Sequence, residues 1–284
     1  MIKENNYISI GDNKIGREFK PFIIAEMSGN HNQSLDRALK IVEEAAKCGA
    51  DAIKLQTYTA DTITINKNDN EFLINDKNSL WYGKSLYELY DEAHTPWEWH
   101  EAIFKCAQKN NIICFSSAFD ESSVEFLEKI KTPAYKIASF ENNHIPLIKK
   151  VAKTGKPLII STGMASLADI DDIIECLPDN YLNKFILLKC TSNYPASAEN
   201  SNLLTIPSMK QKFNCQVGLS DHTMGIGTSI AAVTLGATVI EKHFTLDRSD
   251  SGVDSDFSME PDELRLLVSE SKAAWSSLGS VNYG

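Results

Sequence analysis

The chain has 284 residues, 43% of them hydrophobic and 23% charged, and its 28 basic and 38 acidic residues give a formal net charge of −10. This composition is typical of a soluble globular protein and excludes a disordered or fibrous chain. The acidic balance and the lack of long apolar runs argue against binding to nucleic acid or a membrane. We therefore expect a cytoplasmic protein, whose six cysteines, without any CxxC pair, are free thiols.

Short apolar runs of strand type alternate with amphipathic segments along the chain. A small β-hairpin is predicted first, over residues 7–16, with its turn at 11–13. Eight further runs follow, each bounded by Gly, Pro, Asn or Asp and each followed by a helical pattern, as is typical of buried parallel strands. They span residues 21–27, 51–57, 112–117, 134–139, 157–161, 185–191, 215–220 and 237–244.

Residues typical of helix ends stand between these runs. Asp120 and Ser166 occupy N-cap positions, and Gly49, Gly155 and Gly236 stand where helices should end. Eight strand–helix units in a chain of this length predict a closed (β/α)8 barrel. An open doubly wound sheet is the alternative, but no GxGxxG motif opens a helix after a strand.

The connection after the second predicted strand, residues 58–95, is far longer than usual. Connections of that length are commonly functional lids or disordered segments. This one contains the aromatic residues Trp81, Tyr82, Tyr87 and Tyr90. Their number favours an ordered lid.

Each of the eight predicted strands ends in polar residues. In a barrel, active sites lie at this carboxyl end of the strands. Glu26 ends the first strand, and Lys54 and Gln56 occupy alternate positions, and so one face, of the second. Any single polar end can be an ordinary strand cap, but eight together favour a site. The corresponding residues of the other strands include Ser117, Lys136, Ser139, Ser161, Ser192, Ser220, His222 and His243.

Two lysines lie inside otherwise apolar runs. A buried Lys has to be paired, so Lys54 and Lys136 either find Glu partners in the core or face a pocket that holds an anion. Schiff-base chemistry is a competing use of one Lys, but it leaves the other without a role. Two cations with a ring of hydroxyl donors suit a small phosphorylated substrate. These hydroxyls belong to Ser117, Ser139, Ser161, Ser192 and Ser220.

Two histidines end the neighbouring seventh and eighth strands. A lone His would be read as part of the core, but His222 and His243 can approach one ligand from two sides. Two imidazoles completed by water and substrate oxygens suit Mn²⁺, Fe²⁺, Co²⁺ or Zn²⁺. His31, in the loop after the first strand, is a further candidate for the pocket lining.

Several long motifs occur in order: FIIAEMSGNHNQS, DAIKLQTYTADT, AYKIASFEN, LLKCTSNYPA, VGLSDHT and VIEKHFTL. Together they resemble the sialic acid synthase family of phosphoenolpyruvate-condensing barrels, over about residues 20–279. The strings SGNHNQS and KLQTYTADT are most similar to its pseudaminic acid synthase branch. Members of the family usually continue into a small antifreeze-protein-like domain. The resemblance thus implies that residues 1–284 form a single synthase barrel without that domain, and it leaves a homodimer open.

The resemblance also implies roles for the candidate residues. His222 and His243 would hold a divalent metal, with Mn²⁺ first and Co²⁺, Mg²⁺ or Fe²⁺ as alternatives. Glu26 would handle protons, and it would face the sugar together with three other side chains. Those three are Gln56, Tyr194 and Asp254. Phosphoenolpyruvate would be held by seven residues, Lys54, Ser117, Lys136, Ser139, Ser161, Ser192 and Ser220.

The reaction implied is condensation of phosphoenolpyruvate with an open-chain acetamido sugar. For the pseudaminic branch this sugar is 2,4-diacetamido-2,4,6-trideoxy-L-altrose, and the products are a nonulosonic acid and phosphate. N-acetylmannosamine, giving N-acetylneuraminate, and a shorter aldose phosphate, giving a 3-deoxy-ulosonic acid, are alternatives. A non-catalytic ligand-binding barrel is an alternative from another class.

Overall fold

The computed structural model describes residues 7–69, 71–77, 79–181 and 183–283, beginning with an antiparallel hairpin of β1 (Ile8–Ile10) and β2 (Asn13–Ile15). The hairpin predicted for residues 7–16 is confirmed, although Asn13 belongs to the second strand and not to the turn. Ile8, Ile10 and Ile15 are buried against residues from the first half of the barrel strands. The hairpin therefore closes the amino-terminal end of the barrel.

Eight parallel strands form the closed barrel, which confirms the predicted (β/α)8 fold. Their order around the barrel follows the chain, and the last strand pairs with the first. The fourth barrel strand is shorter than predicted because a 3-10 turn begins at Ser139. The strands are β3 (Phe22–Glu26), β4 (Ala52–Thr57), β5 (Ile113–Ala118), β6 (Tyr135–Ile137), β7 (Leu158–Ser161), β8 (Phe185–Cys190), β9 (Gln216–Ser220) and β10 (Val239–His243).

The predicted helix ends are confirmed. The side chains of Asp120 and Ser166 accept hydrogen bonds from backbone N–H groups of the helices that they precede. Gly49, Gly155 and Gly236 follow helices with φ of +87°, +71° and +98°, a region that favours glycine. The helices are α1 (Leu35–Lys47), α2 (Ala60–Ile63), α3 (Leu86–Ala93), α4 (His100–Lys109), α5 (Glu121–Lys129), α6 (Ile145–Lys153), α7 (Leu167–Cys176), α8 (Thr205–Phe213), α9 (Gly227–Thr234) and α10 (Pro261–Ser277).

Side chains alternate along each strand between the barrel interior and the helix layer. In β3, Phe22 and Ile24 belong to the interior cluster, whereas Ile23 and Ala25 pack in the larger cluster that includes the helices. The next interior position is Glu26, at the carboxyl end of the strand. The interior is therefore mainly apolar in its lower half and polar in its upper half, with Gln216 at the start of β9 as a buried polar residue of the lower half.

The long connection after β4 contains α2 and α3 and packs against the barrel in part. The indole N–H of Trp81 donates to the carbonyl oxygen of Val253 at 2.8 Å. The ring of Tyr90 packs edge-on against Tyr58, with ring centres 5.8 Å apart. Tyr82, in contrast, is 52% exposed. The described part of this segment thus packs in part against the barrel, and its action as a lid stays a prediction.

The expectations drawn from composition were the absence of membrane spans and the presence of free thiols. None of the described helices combines the length and apolar character needed to cross a bilayer. All six cysteines are free, as predicted.

The close packing of strands inside the barrel predicts a steric effect at Gly218. A Cβ added there would overlap the carbonyl oxygen of Val239 and approach Leu188 Cδ2 to 2.7 Å. We expect Gly218→Ala to lower the free energy of unfolding by about 1–3 kcal/mol, as over-packing does. Urea denaturation measures this change. Gly227→Ala is the matched control, because its added Cβ meets no atom within 4 Å, and an equal loss in both variants would contradict the packing described.

Candidate active site

Four charged side chains form a buried cluster at the carboxyl ends of the barrel strands. Lys54 Nζ forms an ion pair with Glu26 Oε2 and lies 3.8 Å from Glu241 Oε1. Lys136 Nζ lies 3.1 Å from the same oxygen of Glu241. All four side chains belong to residues that are at most 5% exposed. The two predicted lysines therefore both have Glu partners and face one shared interior.

Burial and mutual attraction set the protonation of this cluster. Burial raises the pKa of Glu26 to about 7, although the charge of Lys54 opposes the shift. For Glu241, burial is outweighed by Lys136 and Lys54, so its pKa is lowered. Burial lowers the pKa of Lys136 despite the attraction of Glu241. Glu241 is therefore the permanent carboxylate, and Glu26 is the group that changes its protonation near neutral pH.

Two of the predicted hydroxyl groups contact the charged cluster directly. Ser117 Oγ accepts a hydrogen bond from Lys54 Nζ at 3.1 Å. Ser220 Oγ donates to Glu241 Oε1 at 3.2 Å. Both hydroxyls can reorient toward a bound ligand, because a hydroxyl serves as donor or acceptor.

Three further serines cluster around Gly163, just after β7. The backbone N–H of Gly163 donates to Ser139 Oγ at 3.1 Å. A Cβ at this position would overlap Ser192 Oγ and lie 2.6 Å from Ser139 Oγ, so only glycine lets the two hydroxyls converge. Ser161 Oγ is buried and has no hydrogen-bond partner. This polar pocket wall is suited to a ligand that accepts hydrogen bonds.

The residues expected to face the sugar are linked by Ser28, which the sequence did not single out. Gln56 Nε2 donates to Glu26 Oε1 at 3.1 Å and to Ser28 Oγ at 3.2 Å. Ser28 Oγ in turn hydrogen-bonds Asp254 Oδ2. Burial raises the pKa of Asp254. Glu26, Gln56 and Asp254 thus lie on one polar wall.

The histidine pair lies beside this wall. The ring centres of His222 and His243 are 5.4 Å apart. His222 Nδ1 lies 2.9 Å from the carbonyl oxygen of Thr191, to which it has to donate, leaving Nε2 as the nitrogen with a lone pair. Burial lowers the pKa of His243 well below its usual range, and its Nδ1 has no hydrogen-bond partner. His243 can therefore present a neutral nitrogen to a cation. Burial is outweighed at His222 by Cys190 and the Thr191 carbonyl, which raise its pKa, so its Nε2 becomes a ligand once that nitrogen has lost its proton.

Aromatic rings line the side of the histidine pair that faces the lid. The ring of Tyr194 is 4.4 Å from that of His222, and the ring of Phe257 is 4.9 Å from that of His243. Tyr194 and Phe257 also contact each other, with centres 5.3 Å apart. The predicted sugar residue Tyr194 is thus close to the histidines, beside an aromatic residue that was not predicted.

Other residues also differ from the expectations. His31 has no ring nitrogen left for a ligand, because Nδ1 accepts from the backbone N–H of Gln33 at 3.2 Å and Nε2 bonds Thr95 Oγ1 at 3.3 Å. Glu241 was not among the predicted site residues, although its place two positions before His243 puts both on one strand face. Glu141 was missed as well; burial raises its pKa to about 7, and its Oε2 has no hydrogen-bond partner.

The residues 41–283 match the sequence profile of the NeuB family. The chain belongs to this family. It is 49% identical over 260 residues to pseudaminic acid synthase of Campylobacter jejuni subsp. jejuni serotype O:2, covering 92% of this chain and 75% of the relative. It is 42% identical over 261 residues to pseudaminic acid synthase of Helicobacter pylori, covering 91% of this chain and 76% of that protein.

The similarity extends to solved structures. A crystal structure of N-acetylneuraminic acid (sialic acid) synthetase from Leptospira borgpetersenii serovar Hardjo-bovis matches with a TM-score of 0.87 and 33% identity. The match covers 98% of this chain and 92% of the other. The resemblance to the sialic acid synthase family, closest to its pseudaminic acid synthases, is thereby confirmed.

The shared carboxylate of the cluster predicts a large effect of Glu241→Gln. The variant leaves Lys54 and Lys136 with only Glu26 to balance them, so we expect a loss of about 3–5 kcal/mol in the free energy of unfolding at neutral pH. Because the pKa of Lys136 is already lowered, part of the loss should return at alkaline pH, as Lys136 releases its proton. Urea denaturation at both pH values measures this.

Glu101→Gln serves as the control for removing a carboxylate from an ion pair. Glu101 pairs with Lys105 on the surface, and both side chains are 71% exposed. We expect little change in stability, because exposed ion pairs contribute little. A Glu241→Gln variant as stable as this control would contradict the role of the cluster.

Proposed function

We propose that this protein condenses phosphoenolpyruvate with the open-chain aldehyde of an acetamido sugar, giving a nonulosonic acid and phosphate. The proposed sugar is 2,4-diacetamido-2,4,6-trideoxy-L-altrose, since the relatives at 49% and 42% identity are pseudaminic acid synthases. One observation carries the proposal. Two lysines, a set of hydroxyls and an imidazole pair converge at the carboxyl end of a single barrel.

The charged cluster supplies the site for the phosphorylated substrate. With Glu26 protonated, the cluster has one carboxylate, Glu241, against the two ammonium groups of Lys54 and Lys136. This net positive charge, in a water-poor interior, favours an anion. The serine hydroxyls around Gly163 and those of Ser117 and Ser220 complete the hydrogen bonds to its oxygens.

The imidazole pair is the proposed site of a divalent ion, with Mn²⁺ first and Co²⁺, Mg²⁺ or Fe²⁺ as alternatives. His222 and His243 fit such an ion, because one has its tautomer fixed by the Thr191 carbonyl and the other has a buried nitrogen without a partner. Among the described residues, no group of three or more His, Cys, Asp and Glu side chains forms a metal site. Water and substrate oxygens would therefore complete the ligands. When bound, the ion acts as a Lewis acid on the aldehyde oxygen.

Side chains of the protein then position the reacting groups, transfer the proton and balance the charge. The C3 carbon of phosphoenolpyruvate forms a bond to the aldehyde carbon, and water adds at C2 with loss of one proton, which restores the Glu26 carboxyl group. Phosphate then leaves as its bond to C2 breaks, and it takes the proton of the C2 hydroxyl, which becomes a ketone. Glu26, with a pKa near 7, gives a proton to the aldehyde oxygen as that oxygen becomes a hydroxyl. Gln56 fixes the orientation of this carboxyl group through Oε1. Lys54 and Lys136 balance the charge of the departing phosphate.

The remaining polar wall holds the sugar. Asp254 and Gln56 share Ser28 as a bonding partner and can pair with sugar hydroxyl or amide groups. The ring of Tyr194 packs against that of His222, with centres 4.4 Å apart, and can contact the sugar from that side. The match to a sialic acid synthetase structure supports N-acetylmannosamine as the second candidate sugar.

The proposal predicts phosphate release when the protein is incubated with Mn²⁺, phosphoenolpyruvate and the diacetamido trideoxy sugar. Release should be slower with N-acetylmannosamine. His222→Ala and His243→Ala should each lower the rate by roughly 100-fold or more, because even outer partners of metal ligands can contribute that much. A colorimetric phosphate assay measures these rates.

His144→Ala is the matched control, because His144 is exposed just before α6, and its rate should equal that of the unmodified protein. Unchanged rates in His222→Ala and His243→Ala would refute the metal assignment. Phosphoenolpyruvate binding without turnover of either sugar would favour the non-catalytic alternative.

A further inference from the structure

The lid residue Trp81 faces the site although its neighbours face solvent. Leu80 and Tyr82, on either side of it, are 46% and 52% exposed, whereas Trp81 is half-buried. We propose that Trp81, together with Tyr194 and Phe257, forms an aromatic subsite for the methyl groups of the substrate sugar. This inference rests on the proposed function and concerns the choice between sugars.

Trp81 is attached to the segment that carries one of the sugar-facing residues. Its indole N–H donates to the carbonyl oxygen of Val253 at 2.8 Å, and Val253 immediately precedes Asp254. Asp254 is itself held by Ser28 on the polar wall of the site. The hydrogen bond of Trp81 therefore attaches the lid next to Asp254, at the edge of the polar wall.

Ring contacts lead from Trp81 to the histidine pair. The ring centres of Trp81 and Tyr194 are 6.3 Å apart, and those of Tyr194 and His222 are 4.4 Å apart. Phe257 closes the group by its contacts with Tyr194 and His243. If the aldehyde carbon lies at the histidines, Trp81 lies beyond Tyr194, within reach of groups farther along the sugar.

The Trp81 face of this surface selects methyl groups over hydroxyl groups. The only hydrogen-bonding group of the Trp81 side chain is already engaged by Val253, so its ring offers no partner to a sugar hydroxyl. A 6-hydroxyl placed there would lose its hydrogen bonds to water without replacement. The 6-deoxy carbon and the acetyl groups of a diacetamido trideoxy sugar instead present methyl groups, which favour contact with aromatic faces.

The subsite predicts that selectivity between two sugars depends on Trp81. Phosphate release is measured with the diacetamido trideoxy sugar and with N-acetylmannosamine, which carries a 6-hydroxyl. We expect Trp81→Ala to lower kcat/KM for the deoxy sugar by roughly tenfold or more, the usual effect of losing apolar contacts, and to change that for N-acetylmannosamine much less. The KM for phosphoenolpyruvate should stay the same.

Two further variants make the comparison specific. Trp81→Phe keeps an aromatic ring and should recover most of the selectivity. Tyr82→Ala removes the exposed neighbouring ring of the same lid and should leave the selectivity unchanged. Titration with the deoxy sugar should also change the tryptophan fluorescence of the unmodified protein, and Trp81→Phe should abolish this change.

The results separate this inference from the proposed function. Equal losses for both sugars in Trp81→Ala would overturn the subsite and assign Trp81 a purely structural role. An unmodified protein inactive with both sugars would refute the proposed function, while the fluorescence titration would still test the subsite. A fluorescence change that persists in Trp81→Phe would overturn it.

Discussion

The ion pairs that Glu241 makes with two lysines are the interaction on which the site depends. Burying any one of these charges alone is costly, and burial is tolerated only where opposite charges meet with good geometry. Lys136 lies in β6 and Glu241 in β10, on strands that are not neighbours in the barrel. Only a closed ring of strands brings their side chains together across its interior. The charged cluster therefore requires the closed barrel, and the barrel in turn requires that these buried charges balance one another.

The lower half of the barrel supports this cluster. Interior positions of most strands carry apolar residues first and polar residues last, as in β3, although β9 begins with the buried Gln216. The barrel therefore has a mainly dry lower layer and a polar upper layer. The isoleucines of the amino-terminal hairpin close the dry layer from below. Because water is excluded from that side, charges in the upper layer interact strongly. The pKa of each titratable group there therefore depends strongly on where the group lies. The raised pKa of Glu26 is one result, and the low pKa of His243 is another.

The sequence predicted features that depend on local pattern. The eight strands, the hairpin and the caps at Asp120 and Ser166 follow from periodicity and from residues with fixed preferences at helix ends. The convergence of Lys54 with Lys136 also follows, because the carboxyl ends of barrel strands meet at one end.

Features that depend on contacts between distant segments were not predictable in this way. The sharing of Glu241 by two lysines requires knowing which side chains face each other across the barrel. Ser28, which joins Gln56 to Asp254, has a positive φ of 47°, a backbone conformation that its sequence neighbours do not indicate. The aromatic content of the lid indicated order, but the inward direction of Trp81 depends on a carbonyl group at Val253, far along the chain.

In the proposed reaction the two lysines, balanced by Glu241, hold a phosphorylated anion. Isothermal titration calorimetry with phosphoenolpyruvate, comparing the unmodified protein with Lys136→Met, tests it most directly. Affinity is expected to fall by roughly 10- to 100-fold in this variant, the effect of losing a hydrogen bond to a charged group. Lys150→Met, on the surface, should bind as the unmodified protein does. Equal phosphoenolpyruvate affinity in Lys136→Met and the unmodified protein would contradict the account.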